Sequence, residues 1–431
     1  MNQLYRLTAL VVGLVTASHA ETVPTLNTFS NALTYAALHH PSIHAAASDL
    51  EAARMRIPQA RSLPDPMLQV TRFVESVQTR TGPQDMVLTL SQRMLWWGTL
   101  STRKDAATAD ADAAEYALQA RLLQMMRELG KAFYEVAYLG KAIDLTSENL
   151  NLLRELEPVA EAKVEGGGDL NALLRLKVEV GKLESLLATQ EQRMLAQRSV
   201  LNSLMGRPVD EARAMQEWEP PAEWTLDADT LTTELEEANP ELQRQAALVS
   251  AARNREELVR LTGYPDLVLG ATYIEIGDPS INATAADAGD DAWSVTAAIT
   301  LPLGRSRIKA QRGEARALAE RATWDLDNRT IELHSALQVA IANHTDAQRR
   351  LQLFGGELVD LARQAVANSR TSYEAGRLGI LDVIDSERSL LDLQLQQWRA
   401  AADVWQQRIL IQTLTLTGLA PTALEHLTET P

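Results

Sequence analysis

Cysteine is absent from the 431 residues. That removes disulfides, thiolate metal sites and a cysteine nucleophile at once. A basic excess is also missing: 41 Lys and Arg face 57 Asp and Glu, a formal net charge of −16. A nucleic-acid partner needs a basic face to neutralise phosphates, so none is expected. Long apolar runs are scarce. The only one lies at the start, from Leu7 to Ala17, too short for a membrane-spanning helix of about 20 residues. With Arg6 before it and Ser18-His19-Ala20 after it, it reads as a secretory signal, residues 1–20, with the mature chain starting at Glu21. If this chain crosses a membrane, it does so with strands.

Catalytic signatures are missing too. There is no HExxH, no GxSxG and no Walker-type GK[ST], and no nucleophile stands beside a base. Neither enzymatic activity nor a cofactor is expected. His39, His40 and His44 lie close together, with His40 and His44 at the i, i+4 spacing of a helical metal pair. Neither Asp49 nor Glu51 is in register as a further ligand, and histidines ahead of a helix more often cap it. Met125 and Met126 fall on an apolar helix face, where methionine fills core.

What is present is said nearly twice. His40-Pro41-Ser42-Ile43 opens an Ala-rich helix ending at Leu63-Pro64-Asp65-Pro66, and Asn239-Pro240-Glu241-Leu242 opens a similar one ending at Tyr264-Pro265-Asp266. Pro41 maps to Pro240 and Pro66 to Pro265 at one offset, the mark of a duplicated supersecondary unit. After each copy's proline come two strand-like runs, 67–74 with 86–91 and 267–276 with 293–301. Trp293, Val295, Ala297, Ile299 and Leu301 alternate with small or polar residues, and strands of about 9–10 residues suit a tilted transmembrane β-strand. The polar connections 75–85 and 277–292, the second with Asp278, Asp287, Asp290 and Asp291, read as exposed hairpin loops. Four strands leave open edges, which lipid forbids, so several chains would have to share one barrel.

Each hairpin ends in glycine, at Gly98 and Gly304, before very long helical patterns. Leu122, Leu129, Val136, Ile143 and Leu150 recur every seven residues, as do Leu173, Val180, Leu187, Met194 and Leu201, and Ile384, Leu391, Trp398 and Trp405. Sustained sevens predict coiled-coil packing, and a 60-residue helix would be about 90 Å long. The helical hairpins turn at Gly166-Gly167-Gly168 and at Gly376 to Gly379. Gly355-Gly356 predicts a break in the second long helix. Residues 207–235, with Trp218, Trp224 and several prolines, read as a linker packed like a belt around the helices.

The second turn stands out. Asp382 and Asp385 fall in the first turns of the last helix, three residues apart and so on one face. Ile380, Leu381, Val383 and Ile384 around them are apolar. The bland reading is that both acids complement the helix dipole. The other reading is an acidic stripe projecting from a packed helix.

Tyr373, Gly376, Asp382 and Asp385, in this order before the last long helix, resemble the periplasmic end of the TolC family of outer-membrane efflux ducts. The succession of short helix, β-hairpin and long helical hairpin, twice, extends that resemblance over roughly Thr28 to Pro421. It implies a mainly α fold with a membrane β-barrel, built as an internally duplicated protomer of long coiled-coil helices plus four β-strands. Three protomers would form an α-barrel/β-barrel duct in the outer membrane of a Gram-negative bacterium, extending into the periplasm. Implied units are repeats 21–206 and 236–421 around the equatorial linker 207–235, with a tail 422–431. Implied gate residues are Asp382 and Asp385, with Tyr373, Asp169 and Arg377. The family's arginine stands two residues after the turn glycine, whereas Arg377 follows Gly376 directly. The turns at Gly166, Gly167, Gly168, Gly376 and Gly379 would receive a periplasmic adaptor serving an inner-membrane pump. The implied function is passive exit of drugs or metal ions from a tripartite efflux pump. A polypeptide duct of type I secretion, or a periplasmic coiled-coil scaffold outside any membrane, are the alternatives.

Overall fold

The computed structural model describes residues 27–209, 218–278 and 286–417. The signal segment, the tail 422–431 and parts of the linker and of the second strand connection lie outside these.

Each copy begins with two short helices. Those of the first are α1 (Phe29–His39) and α2 (Pro41–Arg61); those of the second are α5 (Ala228–Ala238) and α6 (Pro240–Leu261). Thr28 caps α1 by accepting the Asn31 N–H, and His40 and Asn239 cap α2 and α6 by accepting the N–H two residues on, with proline at the first helical position. Proline suits that position because its missing N–H would be unsatisfied anyway. The second copy therefore begins before residue 236, at α5, which stands from α1 at the same offset as Pro240 from Pro41.

The strands follow: β1 (Met67–Gln78), β2 (Pro83–Met94), β3 (Leu267–Ile276) and β4 (Ala292–Ile299). They form one antiparallel sheet in the order β1-β2-β3-β4, with both outer edges open. Residues 75–85, expected as a loop, are largely strand. Both strands of the first hairpin run to 12 residues, so the turn shrinks to 79–82, and a register shift follows Arg72. Polar residues at the far end of the hairpin hide the pairing from the alternation pattern, while the backbone ladder continues through them.

Four long helical arms carry the rest. The first copy has α3 (Thr99–Glu165), 67 residues running through Pro158, and its return α4 (Leu170–Leu204). The second has α7 (Arg305–Leu353), a π-turn over Phe354–Leu358, α8 (Val359–Glu374) and the return α9 (Ile380–Thr415). At 1.5 Å per residue α3 is about 100 Å long. The expected break is there: Gly356 leaves helical geometry at φ −92°, ψ −106°.

Most heptad residues bury as their spacing predicts, while Ile143, Leu187, Trp398 and Trp405 are half-buried. Leu122, Leu129, Val136 and Leu150 are buried on α3, Leu173, Val180, Met194 and Leu201 on α4, and Ile384 and Leu391 on α9. Met125 and Met126 are core in the same cluster as Leu129 and Phe133. Around the upper part of the chain α2 packs on α3, α3 on α6 and α6 on α7; lower down, α3 meets α4 and α9. The described part of the belt passes over α9 through Trp218 and Trp224. Arg408 donates to the Ala222 carbonyl and lies over the Trp224 and Trp405 rings.

Under that belt His344 is buried, edge-on to Trp224 at 5.4 Å, and its Nε2 has no partner among the described residues. Burial, with Arg408 nearby, lowers its pKa to about 4. A folded value below the unfolded 6.5 means the unfolded chain binds the proton more readily between those values. The neutral-ring packing is therefore fully available above pH 6.5 and lost as pH falls toward 4. Melting the protein across that window should show the loss, and His344→Phe should flatten its slope.

Candidate functional site

Two regions carry functional geometry: the sheet and the helical hairpin tips at the opposite end. In the sheet the ladders put Val70, Leu88, Tyr273 and Trp293 in one row and Leu68, Leu90, Ala271 and Val295 in another on the same face. Leu68, Val70, Val74, Leu90, Leu269, Trp293, Val295 and Ile299 on that face are all exposed, Val295 at 87%. The opposite face carries Gln69-Thr89-Thr272-Ser294 and Ser91-Gly270-Thr296, with Thr89 and Thr272 hydroxyls 3.2 Å apart. In a single chain both faces of the sheet are open; an apolar face backed by one rich in Thr, Ser and Gln is the pattern of a sheet between lipid and an aqueous lumen.

Aromatic residues mark both ends. Tyr273 and Trp293 lie 4.9 Å apart near the loops, while Trp96 stacks on Tyr264 at 5.0 Å beside Trp97 at the helical end. There Asp266 ties the strands to the helices, accepting from the Trp96 N–H at 3.0 Å and from Arg93 at 2.6 Å. Twelve residues at about 3.3 Å, tilted near 45°, span about 28 Å, enough for an apolar band about 25 Å tall between aromatic girdles.

At the far end the two turns solve one problem in the same way. Gly167 and Gly376 each stand two residues past a helix end with φ of +92° and +71°, the left-handed conformation that glycine adopts without strain. Gly168 N–H then closes on the Lys163 carbonyl at 2.8 Å and Arg377 N–H on the Ser372 carbonyl at 2.8 Å. Asp169 caps α4 by accepting the Asn171 N–H at 2.9 Å. Asp382 accepts the Gly379 N–H at 3.0 Å and so caps α9.

Asp382 and Asp385 are both exposed. Between and beside them Ile380, Val383 and Ile384 are buried against Leu153, Leu173 and Leu176. The two carboxylates thus project from a packed helix, and Asp382 also caps it. Tyr373 is buried in the same cluster under the Lys163 ammonium, 3.6 Å from its ring centre. Its hydroxyl has no hydrogen-bond partner among the described residues, so Asp169 does not bond it within one chain. Arg377 is exposed, and its guanidinium has no partner among the described residues.

Sequence reasoning missed the strongest polar contact here. Glu387 of α9 is 2% exposed. Its carboxylate accepts from Arg370 Nε of α8 at 2.7 Å, closely from the same guanidinium's Nη2, and from Asn149 of α3 at 3.3 Å. One buried acid thereby joins three helices. The signal was in the heptads: Glu387 stands three residues after Ile384, at the second apolar position of the seam, where a charge is out of place.

The histidines are spent locally. His40 caps α2, His39 stacks on Tyr35 at 4.1 Å, and His44 bonds the Leu38 carbonyl at 2.9 Å.

The model of the outer membrane efflux protein family matches residues 32–204 and 231–415. The chain belongs to this family. Among curated relatives of this efflux protein, the pyoverdine export outer membrane protein OpmQ of Pseudomonas putida is 24% identical over 73% of this chain and 66% of its own length. The cobalt-zinc-cadmium resistance protein CzcC of Cupriavidus metallidurans is 24% identical over 88% of this chain and 87% of its own. The outer-membrane channel OprN superposes with a TM-score of 0.77 at 17% identity, covering 90% of both chains. VceC of Vibrio cholerae gives 0.73 at 21% identity over 90% of this chain and 95% of that one. These similarities establish the duct fold for the efflux protein, with its helical and β-barrel parts.

Proposed function

We propose that three copies of this chain form the outer-membrane exit duct of a tripartite efflux pump, passively conducting small toxic solutes handed over by a periplasmic adaptor and an inner-membrane pump. The observation that carries this reading is the four-stranded sheet with its outward apolar face and open β1 and β4 edges. Lipid tolerates no such edge, so β4 must pair with β1 of the next copy. The internal duplication supplies the template, since β2 already pairs with β3 across the two repeats. Such a face argues against the scaffold that never enters a membrane.

At the other end, Asp382 and Asp385 from each copy narrow the mouth and favour cations there. The unpartnered Tyr373 hydroxyl leaves room for an acceptor from the neighbouring copy, and the glycine turns offer the adaptor its docking points. With relatives named for pyoverdine export and for cobalt-zinc-cadmium resistance, the first cargoes to test are these metal ions and pyoverdine-like small molecules. Deleting the gene should lower the growth-inhibiting concentration of cobalt, zinc or cadmium salts, or trap a chelating small molecule inside the cell, with the protein in the outer-membrane fraction. Unchanged tolerance and unchanged export of all of these would sink the cargo assignment; recovery in the soluble periplasmic fraction would sink the duct.

A further inference from the structure

We propose that the recess between α3, α6 and α7 is a binding site for a small phosphate-like oxyanion. Four arginines converge on this cavity of about 540 Å³: Arg121 and Arg127 from α3, Arg244 from α6 and Arg329 from α7. Among the described residues two carboxylates, Glu128 and Glu241, line it with them. In a chain with a formal charge of −16, a cationic concavity built from three helices runs against composition.

The two carboxylates leave the arginines unsatisfied. Glu241 receives Arg329 in close contact and Arg127 only at 3.6 Å, and Glu128 accepts from Gln124 at 2.8 Å. Glu332, outside the recess, takes a second edge of Arg329 at 2.7 Å. Arg121 spends one N–H on the Ser42 hydroxyl at 3.1 Å. Arg244 has no partner among the described residues. Each guanidinium has five donors in a planar fork, so most of the donor capacity here is unused. Burial and the adjacent Arg329 charge lower the proton affinity of Arg127, the effect expected where cations crowd without enough anion.

A planar fork recognises tetrahedral or carboxylate oxyanions through paired hydrogen bonds, and the cavity is far larger than a water site. A lipid headgroup is out of reach. Arg127 lies 28 residues along α3 from Thr99, about 40 Å at 1.5 Å per residue. A free anion here would join α3 of the first repeat to α6 and α7 of the second, bracing the two copies at mid-height.

The test is calorimetric titration of the purified, detergent-solubilised full-length protein with inorganic phosphate, against chloride at matched ionic strength. Saturable phosphate binding is expected, weakened at least about tenfold by Arg244→Gln, an exposed change that leaves every ion pair intact, and equally by Arg127→Gln. No saturable binding to native protein, or native affinity retained in both variants, would overturn the site. Absent phosphate binding together with dissociation of the oligomer in Arg244→Glu would assign the arginines to acids of a neighbouring copy instead.

Discussion

Replacing Asp382 and Asp385 by asparagine should raise the single-channel conductance and weaken block by multivalent cations. Asparagine is the informative change because Asp382 accepts the Gly379 N–H; alanine would also remove a helix cap worth about 1 kcal/mol. Two exposed carboxylates per chain, one turn apart on α9, act together on a cation at the mouth of an oligomer. At about 1 kcal/mol per contact in water, removing several of them should weaken trivalent-cation block by at least about tenfold. Titrating the block from the side facing the helical tips measures this. An unchanged blocking constant would mean the acids serve only as helix caps and dipole partners.

The second large effect is expected at Arg370. Glu387 is buried at 2% exposure and its principal cation is Arg370. Arg370→Ala would leave a carboxylate in the seam with only Asn149 beside it. Breaking a buried pair from one side costs about 3–5 kcal/mol; the Arg370 side chain is 38% exposed, which places the expected loss toward the lower figure. Replacing both partners, Arg370→Leu with Glu387→Leu, should recover much of it, because packed apolar residues often match a buried pair in stability. The readout is the thermal midpoint of the purified protein with limited proteolysis at the α8–α9 turn. Equal loss in the single and double variants would show that the pair contributes shape and not charge compensation.

These two sites differ in how far the sequence exposes them. Asp382 and Asp385 are legible because a fixed spacing on a helix beside apolar residues sets their direction before any tertiary contact forms. The long helices were legible for the same reason: Leu122 to Leu150 repeat at the seam period, and packing follows period. The Gly355-Gly356 break and the turns at Gly167 and Gly376 were legible because backbone conformation there is a local property of glycine. Strand ends were not, since Glu75, Ser76 and Gln78 continue β1 past the apolar face, and only pairing with β2 shows it. Glu387 was legible as an acid at an apolar seam position, but its partner Arg370 on α8 was not, and the arginine recess needed three helices from two repeats. Charges assembled from distant segments carry no periodic signal.

The central claim is that this chain makes a membrane pore narrowed by its own helical tips. Single-channel recording of the purified native protein in a planar bilayer addresses it most directly. The account predicts a small, cation-selective conductance that multivalent cations block from the helical-tip side. A well-folded oligomer that inserts no channel, or a wide pore indifferent to ionic charge, would contradict it.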